Sequence, residues 1–469
     1  MLFNSIEFAL FLPTVLLLYW VIPSRSNNFR NVLLLGASYL FYGWWDWRFL
    51  GLIAFSSFVD FIIGQRLSLT SNTRSRKLFL TISVVVNLGL LGFFKYFNFF
   101  LESLKDAFTL FGKELNSEHL AIVLPVGISF YTFQTLSYTI DVYKRKIVAE
   151  NDIIKFFTFV SFFPQLVAGP IERASHLLPQ FQAGKTFSYQ FISEGFKQIV
   201  WGFFLKLVIA DRAAIYVDSV YNNVYQHEGL TFIFATVLFA FQIYGDFAGY
   251  SLIAIGTAKM FGFDLMTNFS RPYLSFSVKE FWTRWHISLS TWFRDYLYIP
   301  LGGNRVPRPR MLLNLFVTFV ISGLWHGANW TFVIWGALNG AYLVLEILLG
   351  IKASRNPFRI LLTFGLINFS WIFFRAANLQ EAGHIVSTIF THPGSLFFSS
   401  ESDVTAPIYA ILSIGLLLLI ELKREFLGNR FSITNHRNQW VRMAAFACII
   451  FLILYLGVFD KGQFIYFQF

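Results

Sequence analysis

The chain has 469 residues, of which 56% are apolar, 20% are aromatic and only 13% are charged. Soluble domains carry roughly 25% charged residues, so this composition excludes a water-soluble globular protein and indicates a protein surrounded by lipid. The net charge of +11 is explained by basic loops beside anionic lipid, so we expect no nucleic-acid partner. The single cysteine, Cys448, excludes intrachain disulfides and cysteine-based zinc sites.

Long apolar stretches recur throughout the sequence. At least ten of them approach the roughly 20 apolar residues that a helix needs to cross a bilayer. Long alternating strand patterns are missing from the sequence, which favours helices over a membrane barrel. We therefore predict an all-α, polytopic membrane protein with about 11–12 transmembrane helices in a single domain, residues 1–469. Six of the stretches are residues 8–22, 78–97, 231–244, 360–374, 408–420 and 444–459.

The distribution of charge predicts a topology. Lys and Arg concentrate in cytoplasmic loops, so the basic loops are placed inside and the N-terminus outside. The first stretch has no basic region before it and no small-residue cleavage site after it, so we expect a true span rather than a signal peptide. The basic loops are residues 25–30, 66–77, 144–146, 352–359 and 423–442, and the neutral or acidic ones are 102–118, 222–228 and 381–403.

Two apolar stretches, residues 153–167 and 199–217, separate a loop expected inside from a loop expected outside. Two full crossings would return the chain to the wrong side, so one stretch is predicted to be re-entrant. The first is the better candidate because Pro164, Gly169 and Pro170 interrupt it. Irregular backbone at membrane depth is tolerated only where it lines a cavity or is buried in protein. We therefore predict a hydrated cavity or tunnel.

His326 lies between two apolar runs, in the motif SGLWHGANW. Ionisable side chains at membrane depth are costly and usually face an interior polar space. Gly323 and Gly327 have the spacing of small residues that lets another backbone approach closely. Two interpretations stay open for His326, a reactive imidazole or a neutral core histidine bonded to a carbonyl. The same glycine spacing recurs at Gly245 and Gly249 and at Gly336 and Gly340.

His286 lies 40 residues before His326, in a segment rich in tryptophan. At helical spacing this segment places five apolar residues in one stripe, which is typical of an amphipathic interfacial helix with aromatic anchors. The alternatives are a surface helix with an inert histidine and a helix that carries the histidine inward. The stripe consists of Trp285, Leu289, Trp292, Phe293 and Tyr296.

The other polar residues give weaker signals. Asp246, Asp141 and Arg375 lie near apolar runs, where each could orient a catalytic group or end a helix, and for Arg375 snorkelling to the interface is favoured. His176 is ambiguous, with a structural role favoured. The histidines expected to be solvated surface residues are His119, His227, His384, His392 and His436.

Several common chemistries have no sequence signature here. The sequence contains no His-Glu-x-x-His metal pair, no Gly-x-Ser-x-Gly elbow, no phosphate-binding glycine loop and no dinucleotide fingerprint, so we expect no bound metal or cofactor. Imidazole is then the best base available near neutral pH. Transfer of an acyl group from an activated thioester needs little more than a general base that removes the hydroxyl proton and a site that holds donor and acceptor together.

Six motifs carry a resemblance to a known family. The chain resembles the membrane-bound O-acyltransferases, and specifically the bacterial branch that contains alginate O-acetyltransferases, with peptidoglycan O-acetyltransferases and teichoic acid D-alanyltransferases as relatives. The motifs are residues 163–171 (FPQLVAGPI), 246–251 (DFAGYS), 281–290 (FWTRWHISLS), 294–305 (RDYLYIPLGGNR), 323–328 (GLWHGA) and 371–376 (WIFFRA). Leu252 stands where an alginate enzyme is expected to have an acidic residue, which weakens alginate as the particular acceptor.

The resemblance implies a ring of tilted helices around a central tunnel in the cytoplasmic (inner) membrane. It implies His326 as the essential histidine and general base, and His286 as a second active-site histidine that orients the reactants or stabilises the oxyanion. It also implies transfer of an acyl group, most simply acetyl, from acetyl-CoA or another cytoplasmic thioester to a cell-surface glycan, directly or through an extracytoplasmic transferase partner. The candidate tunnel-lining residues are Trp325, Asn329, Asp246, Ser290, Arg294, Pro164 and Gln165.

Two alternatives stay open. One keeps the chemistry and changes the substrate, as a D-alanyl, lipid or protein O-acyltransferase. The other is an exporter of the polysaccharide. Transporters often contain repeated halves with broken helices in matching positions, and the sequence has no such symmetry and few intramembrane acidic residues, so export is the less favoured alternative.

Overall fold

The computed structural model describes residues 1–110, 112–113, 120–167, 169–351, 354–398, 404–428 and 437–459. Within these ranges every regular element is a helix and no β-strand is present, which confirms the all-α, polytopic prediction. Seven helices in the described ranges are long and apolar enough to cross a membrane. They are Trp47–Leu69, Thr73–Leu110, Gly229–Met260, Trp330–Leu348, Pro357–Arg375, Ala406–Phe426 and Gln439–Leu456.

Five further helices in the described ranges are shorter or more polar than the seven candidate spans. Ile6–Val21 and Ile153–Leu166 are apolar but short. Three further helices of 16 to 19 residues, Asn27–Gly43, Ile128–Tyr143 and Arg308–His326, carry several polar side chains. Interior helices of a membrane bundle tolerate such residues where they face protein rather than lipid. The full number of crossings and the ring around a tunnel stay predictions.

The chain forms two compact units, and the first consists of residues 1–196 and 254–266. In it, α3 packs against α4 and α6, and α2 packs against α7. A buried polar network joins these helices, since the Asp60 carboxylate accepts from Ser83 Oγ at 2.6 Å and from Asn87 Nδ2 at 2.8 Å. The helices are α1 (Ile6–Val21), α2 (Asn27–Gly43), α3 (Leu50–Leu69), α4 (Thr73–Leu91), α5 (Phe97–Leu110), α6 (Ile128–Tyr143), α7 (Ile153–Ser161), α8 (Phe163–Leu166) and α9 (Ala174–Gln182).

The apolar stretch 153–167, predicted to be re-entrant, is broken in the structure. Phe162 has a non-helical backbone, with φ −49° and ψ 107°, and separates α7 from α8. Pro164 contributes to the break because its ring suits only the first turn of a helix. The interruption is therefore confirmed, whereas re-entry into the membrane and the cavity beside it stay predictions.

The segment 102–118, predicted as a loop, begins as a helix. A π-helical turn at Gly92–Tyr96 joins α4 and α5 into one 38-residue helix, Thr73–Leu110. The charged residues Glu102, Lys105 and Asp106 have helical spacing and so lie on one face, which suits an amphipathic helix better than a loop. The loop prediction is wrong for residues 102–110, while residues 111 and 114–118 lie outside the described residues.

The second compact unit consists of residues 197–253 and 267–469. The chain passes between the units within α10 (Tyr189–Phe203) and α12 (Gly229–Met260), and again after Met266. A large apolar core fills this unit and is rich in Phe, Trp, Tyr and Ile side chains. The remaining helices are α11 (Asp211–Tyr221), α13 (Val278–Arg284), α14 (Ile287–Phe293), α15 (Arg308–His326), α16 (Trp330–Leu348), α17 (Pro357–Arg375), α18 (Leu379–Thr391), α19 (Ala406–Phe426) and α20 (Gln439–Leu456).

Glycines bring α15 and α16 together as a close antiparallel pair. A Cβ atom added to Gly323 would lie 3.1 Å from the Cα of Gly336 and closer still to the carbonyl oxygen of Phe332. Only a residue without a side chain fits such an approach, as the glycine spacing predicted. Because α15 ends at His326, this contact also sets the position of the histidine.

Replacing Gly323 with Val is therefore expected to destabilise the protein by about 1–3 kcal/mol through overpacking. Thermal unfolding of the purified protein in detergent measures the change. Gly365→Ala is the matched control, because an added Cβ there meets no atom within 4 Å and Ala is favoured over Gly in a helix by about 0.5–1 kcal/mol. Equal melting temperatures for Gly323→Val and Gly365→Ala would contradict the close approach.

Candidate active site

His286 interrupts the single amphipathic helix that the sequence predicted for this segment. Its backbone is left-handed, with φ 42° and ψ 54°, and lies between α13 and α14. One tertiary and one local hydrogen bond hold the break: Ile287 N donates to Asn268 O at 2.9 Å, and Ser290 Oγ donates to Trp285 O at 3.2 Å. A left-handed residue other than Gly costs roughly 1–2 kcal/mol, and these bonds offset that cost.

The aromatic stripe beside His286 faces the protein interior, so its predicted role as interfacial anchors is wrong. Trp285 is 1% exposed and stacks on Phe281, with ring centroids 5.4 Å apart. It also lies 5.2 Å from the Trp371 ring. The other members of the stripe are buried, except for half-buried Tyr296. The break carries His286 inward, where it is 1% exposed.

The two predicted histidines meet in the second compact unit. The ring centroids of His286 and His326 are 6.4 Å apart, although 40 residues separate them in the sequence. The Trp325 ring lies beside both, 6.2 Å from His286 and 5.1 Å from His326. His326 is 3% exposed, so both imidazoles lie in a region that excludes bulk water.

Aromatic side chains from neighbouring helices enclose His326. Trp335 of α16 lies 5.0 Å from its ring centroid and Phe374 of α17 lies 5.5 Å away, both edge-on. On the other imidazole, Phe247 of α12 contacts His286 edge-on at 4.5 Å. The low dielectric of such an enclosure strengthens electrostatic interactions with any group that is held there. Phe247 and Phe374 belong to the motifs 246–251 and 371–376, but the sequence did not predict that they, or Trp335, contact the imidazoles.

Two of the candidate lining residues bind the backbone. Asn329 caps α16, since its Oδ1 accepts from Thr331 N at 3.0 Å, and its Nδ2 donates to Ala377 O at 2.8 Å. Ser290 closes the turn at His286, as described above. Both therefore hold the chain on either side of the imidazoles, and their contact with a tunnel stays a prediction.

The remaining candidates have other contacts. Arg294 is exposed and its Nε binds Asp295 Oδ1 at 2.8 Å. Pro164 and Gln165 belong to the first compact unit, where Gln165 Nε2 donates to Phe159 O at 2.8 Å. For all three, a position along a tunnel stays a prediction.

Asp246 forms part of a buried charge cluster that the sequence analysis did not recognise. The Nζ of Lys206 lies 2.6 Å from Asp246 Oδ1 and 2.8 Å from Asp211 Oδ1. Lys206 is in a π-helical segment, Phe204–Ala210, and its ammonium lies 5.4 Å from the centroid of the Tyr250 ring. Lys206 and Asp211, two of the three charged residues within the apolar stretch 199–217, were the available signal, because ionisable groups inside such a stretch are paired or functional.

Glycines also permit the close approach of α12 to the segment that carries Lys206. A Cβ added to Gly249 would lie 2.8 Å from Gly202 O and 3.1 Å from Lys206 N, and one added to Gly245 would lie 2.8 Å from Leu205 O. The predicted Gly245–Gly249 pair therefore brings α12 against the π-helical segment.

Of the other charged candidates, Arg375 NH2 binds Asp218 Oδ1 at 2.8 Å and Asp141 lies 3.5 Å from Lys146 Nζ. Each thus has an ion-pair partner where its helix ends.

The other histidines lie apart from the imidazole pair in sequence and environment. His176 Nδ1 lies 2.7 Å from Glu172 Oε2, and the hydrogen bond to this carboxylate raises the pKa of His176. This pairing supports the structural role that was favoured. His392 is exposed, and His227 and His384 are half-buried. His119 and His436 lie outside the described residues.

Asn268 is the second group that sequence reasoning missed. It is 1% exposed, and its Oδ1 lies 3.1 Å from His286 Nδ1. No spacing rule relates a residue in an irregular segment to a histidine 18 positions later. Only a buried amide in an apolar neighbourhood gave a hint, since such groups are nearly always hydrogen-bonded.

The arrangement offers two neighbouring imidazoles and an enclosure of aromatic rings. An imidazole accepts a proton near neutral pH, and a desolvated site protects a reactive acyl group from hydrolysis. This combination suits acyl transfer between two bound substrates better than hydrolysis by bulk water.

Comparison with known proteins points in the same direction. The model of the MBOAT, membrane-bound O-acyltransferase family, matches residues 77–359. The chain is 42% identical to a probable alginate O-acetylase of Pseudomonas aeruginosa, over 92% of this chain and 82% of the relative. It is 34% identical to a peptidoglycan O-acetyltransferase of Helicobacter pylori, over 100% of this chain and 98% of the relative. A teichoic acid D-alanyltransferase of Streptococcus thermophilus is 29% identical over 47% of this chain and 56% of the relative.

Proposed function

Because the chain belongs to the membrane-bound O-acyltransferase family, we propose that it moves an acetyl group from acetyl-CoA to hydroxyls of an exported cell-surface polysaccharide. The protein is a multi-pass membrane O-acyltransferase. The acetyl group, the CoA donor, the glycan acceptor and a location in the cytoplasmic membrane are the proposed refinements. The observation that carries the proposal is the buried pair of imidazoles, His286 and His326, with ring centroids 6.4 Å apart.

The proposed roles follow from the chemistry of the step. The acceptor hydroxyl oxygen attacks the thioester carbonyl carbon while His326 accepts the hydroxyl proton. The C–O ester bond forms as the C–S bond breaks, and the proton passes to the leaving thiolate, so CoA departs as the free thiol. General-base assistance of this kind contributes about 10²–10⁴-fold in rate. His286 orients the reacting groups or stabilises the oxyanion beside His326.

The relatives support a glycan acceptor and an acetyl group. The two that align with most of this chain are named for O-acetyl transfer, to alginate in one and to peptidoglycan in the other. The D-alanyltransferase aligns with about half of it, so D-alanyl transfer is the less supported alternative. A cytoplasmic donor and an exported acceptor require the acyl group to cross the membrane within the protein, directly to the glycan or to an extracytoplasmic transferase partner.

The proposal is tested in cells and with purified protein. Mass analysis should find ester-linked acetyl groups missing from the surface polysaccharide of a deletion strain and restored by the wild-type chain. Protein in lipid nanodiscs, supplied with de-acetylated surface polysaccharide as the acceptor, should release CoA from acetyl-CoA, while a D-alanyl carrier thioester should not be consumed. An unchanged polysaccharide in the deletion strain, or selective consumption of the D-alanyl donor, would contradict the proposal.

A further inference from the structure

The orientation of the Asn268 side-chain amide is determined by its neighbours. The backbone N–H of Ser288 lies 3.3 Å from Asn268 Oδ1, and the Ser288 hydroxyl donates to the same oxygen at 3.0 Å. A backbone N–H can only donate, so the amide atom that faces it must be the oxygen. On the opposite side, Asn268 Nδ2 donates to Ser251 Oγ at 3.2 Å. The carbonyl end of the amide therefore points toward α14.

The same oxygen determines which nitrogen of His286 carries hydrogen. His286 Nδ1 lies 3.1 Å from Asn268 Oδ1. Because this oxygen only accepts hydrogen bonds, Nδ1 must be the donor, and the neutral imidazole then has its lone pair on Nε2. His286 Nε2 is buried and has no hydrogen-bond partner in the part of the chain that the structure describes. The structure thus presents a buried proton acceptor 6.4 Å, measured between ring centroids, from His326.

The position of the imidazole depends on Asn268 in two ways. The side chain of Asn268 contacts the imidazole ring. In addition, its backbone carbonyl oxygen accepts a hydrogen bond from Ile287 N at 2.9 Å. This backbone bond holds the residue that follows the left-handed turn at His286. The side chain and the backbone of Asn268 therefore restrain the ring and the turn that supports it, and a residue restrained in this way is pre-organised for its reaction.

We propose that Asn268 is the positioning residue that holds His286 in the Nδ1–H tautomer and directs its Nε2 lone pair toward the reacting groups. The inference rests on the proposed function and refines the role of His286. A neutral imidazole in this tautomer offers a hydrogen-bond acceptor at Nε2, which can hold a neighbouring hydroxyl of the glycan and so orient the attacking hydroxyl, whose own hydrogen passes to His326. It has no hydrogen at Nε2 to donate to an oxyanion, so the orienting role is favoured over oxyanion stabilisation.

The test compares two substitutions of Asn268. Asn268→Leu removes the acceptor for Nδ1–H, and loss of such a supporting contact typically costs about 10–100-fold in activity. We expect the loss in kcat, with KM for acetyl-CoA little changed. Asn268→Asp keeps an acceptor oxygen at the same place and should recover most of the activity. Its negative charge favours the imidazolium, so the acid limb of the kcat–pH profile should move to higher pH, which a purely structural role would not cause.

Controls separate this inference from the proposed function. Asn314 is also a buried amide, on α15, where its Nδ2 donates to Leu301 O at 3.0 Å, so Asn314→Leu should keep its kcat. Full activity and an unshifted pH profile in both Asn268 variants, with an inactive His286→Ala, would overturn the role of Asn268 alone. If Asn268→Leu does not fold, the kcat–pH profile of Asn268→Asp tests the proposal by itself: a shift of the acid limb to higher pH supports the role of Asn268, and an unshifted profile contradicts it. A wild-type protein that transfers no acetyl group would instead overturn the proposed function.

Discussion

His326→Gln is expected to lower the kcat of acetyl transfer by about 10²–10⁴-fold, the usual contribution of a general base. Gln keeps a planar polar side chain but cannot accept a hydroxyl proton at neutral pH. The substitution suits a site enclosed by Trp325, Trp335 and Phe374, because it leaves a smaller cavity than Ala would. Initial rates of CoA release from acetyl-CoA, measured in nanodiscs with de-acetylated surface polysaccharide as the acceptor, give the change in kcat.

A matched histidine outside the pair serves as the control. His392 is exposed and its Nδ1 contacts only Thr391 Oγ1 among the contacts described, so His392→Gln should transfer acetyl at the wild-type rate. Both variants should elute and melt like the wild type in detergent. A stable His326→Gln protein with wild-type kcat would remove His326 from the reaction and leave the membrane fold intact.

Lys206→Met is expected to destabilise the protein by about 3–5 kcal/mol, because breaking a buried ion pair leaves uncompensated charge in the interior. The two carboxylates that flank the ammonium, Asp211 and Asp246, are 5% and 3% exposed. Without Lys206 they would face each other in a low dielectric, where like charges repel strongly. The loss should appear as a large fall in melting temperature and in the yield of monodisperse protein.

The neutral version of the cluster tests the cause. Replacing all three residues together, Lys206→Met with Asp211→Asn and Asp246→Asn, removes the charges and should recover most of the stability, as replacement of a whole buried ion pair often does. Lys197→Met, at a half-buried lysine of α10, should have little effect. If the triple variant were as unstable as Lys206→Met, packing rather than charge would explain the loss.

The sequence by itself determined the class of protein and selected His326 as a candidate for the site. A charged fraction of 13% and repeated apolar stretches are properties of composition, so they indicated lipid as the solvent without any knowledge of packing. His326 could be selected because its motif and its glycine neighbours are contiguous in the chain. Gly323 faces Gly336 as small residues at that spacing predict. These signals are local, and local signals survive in a linear sequence.

The tertiary structure alone decided how the site is assembled. Helical periodicity predicted a continuous interfacial helix through His286. A hydrogen bond from Ile287 N to the Asn268 backbone carbonyl, together with one from the Ser290 hydroxyl to Trp285 O, holds a left-handed turn there. Helix propensity is a weak preference of less than about 1 kcal/mol per residue, which tertiary contacts override. His286 and His326 are distant in the chain but neighbours in the structure, and the same is true of Lys206 and Asp246. Such contacts depend on which helix faces pack together, and no spacing along the chain encodes that.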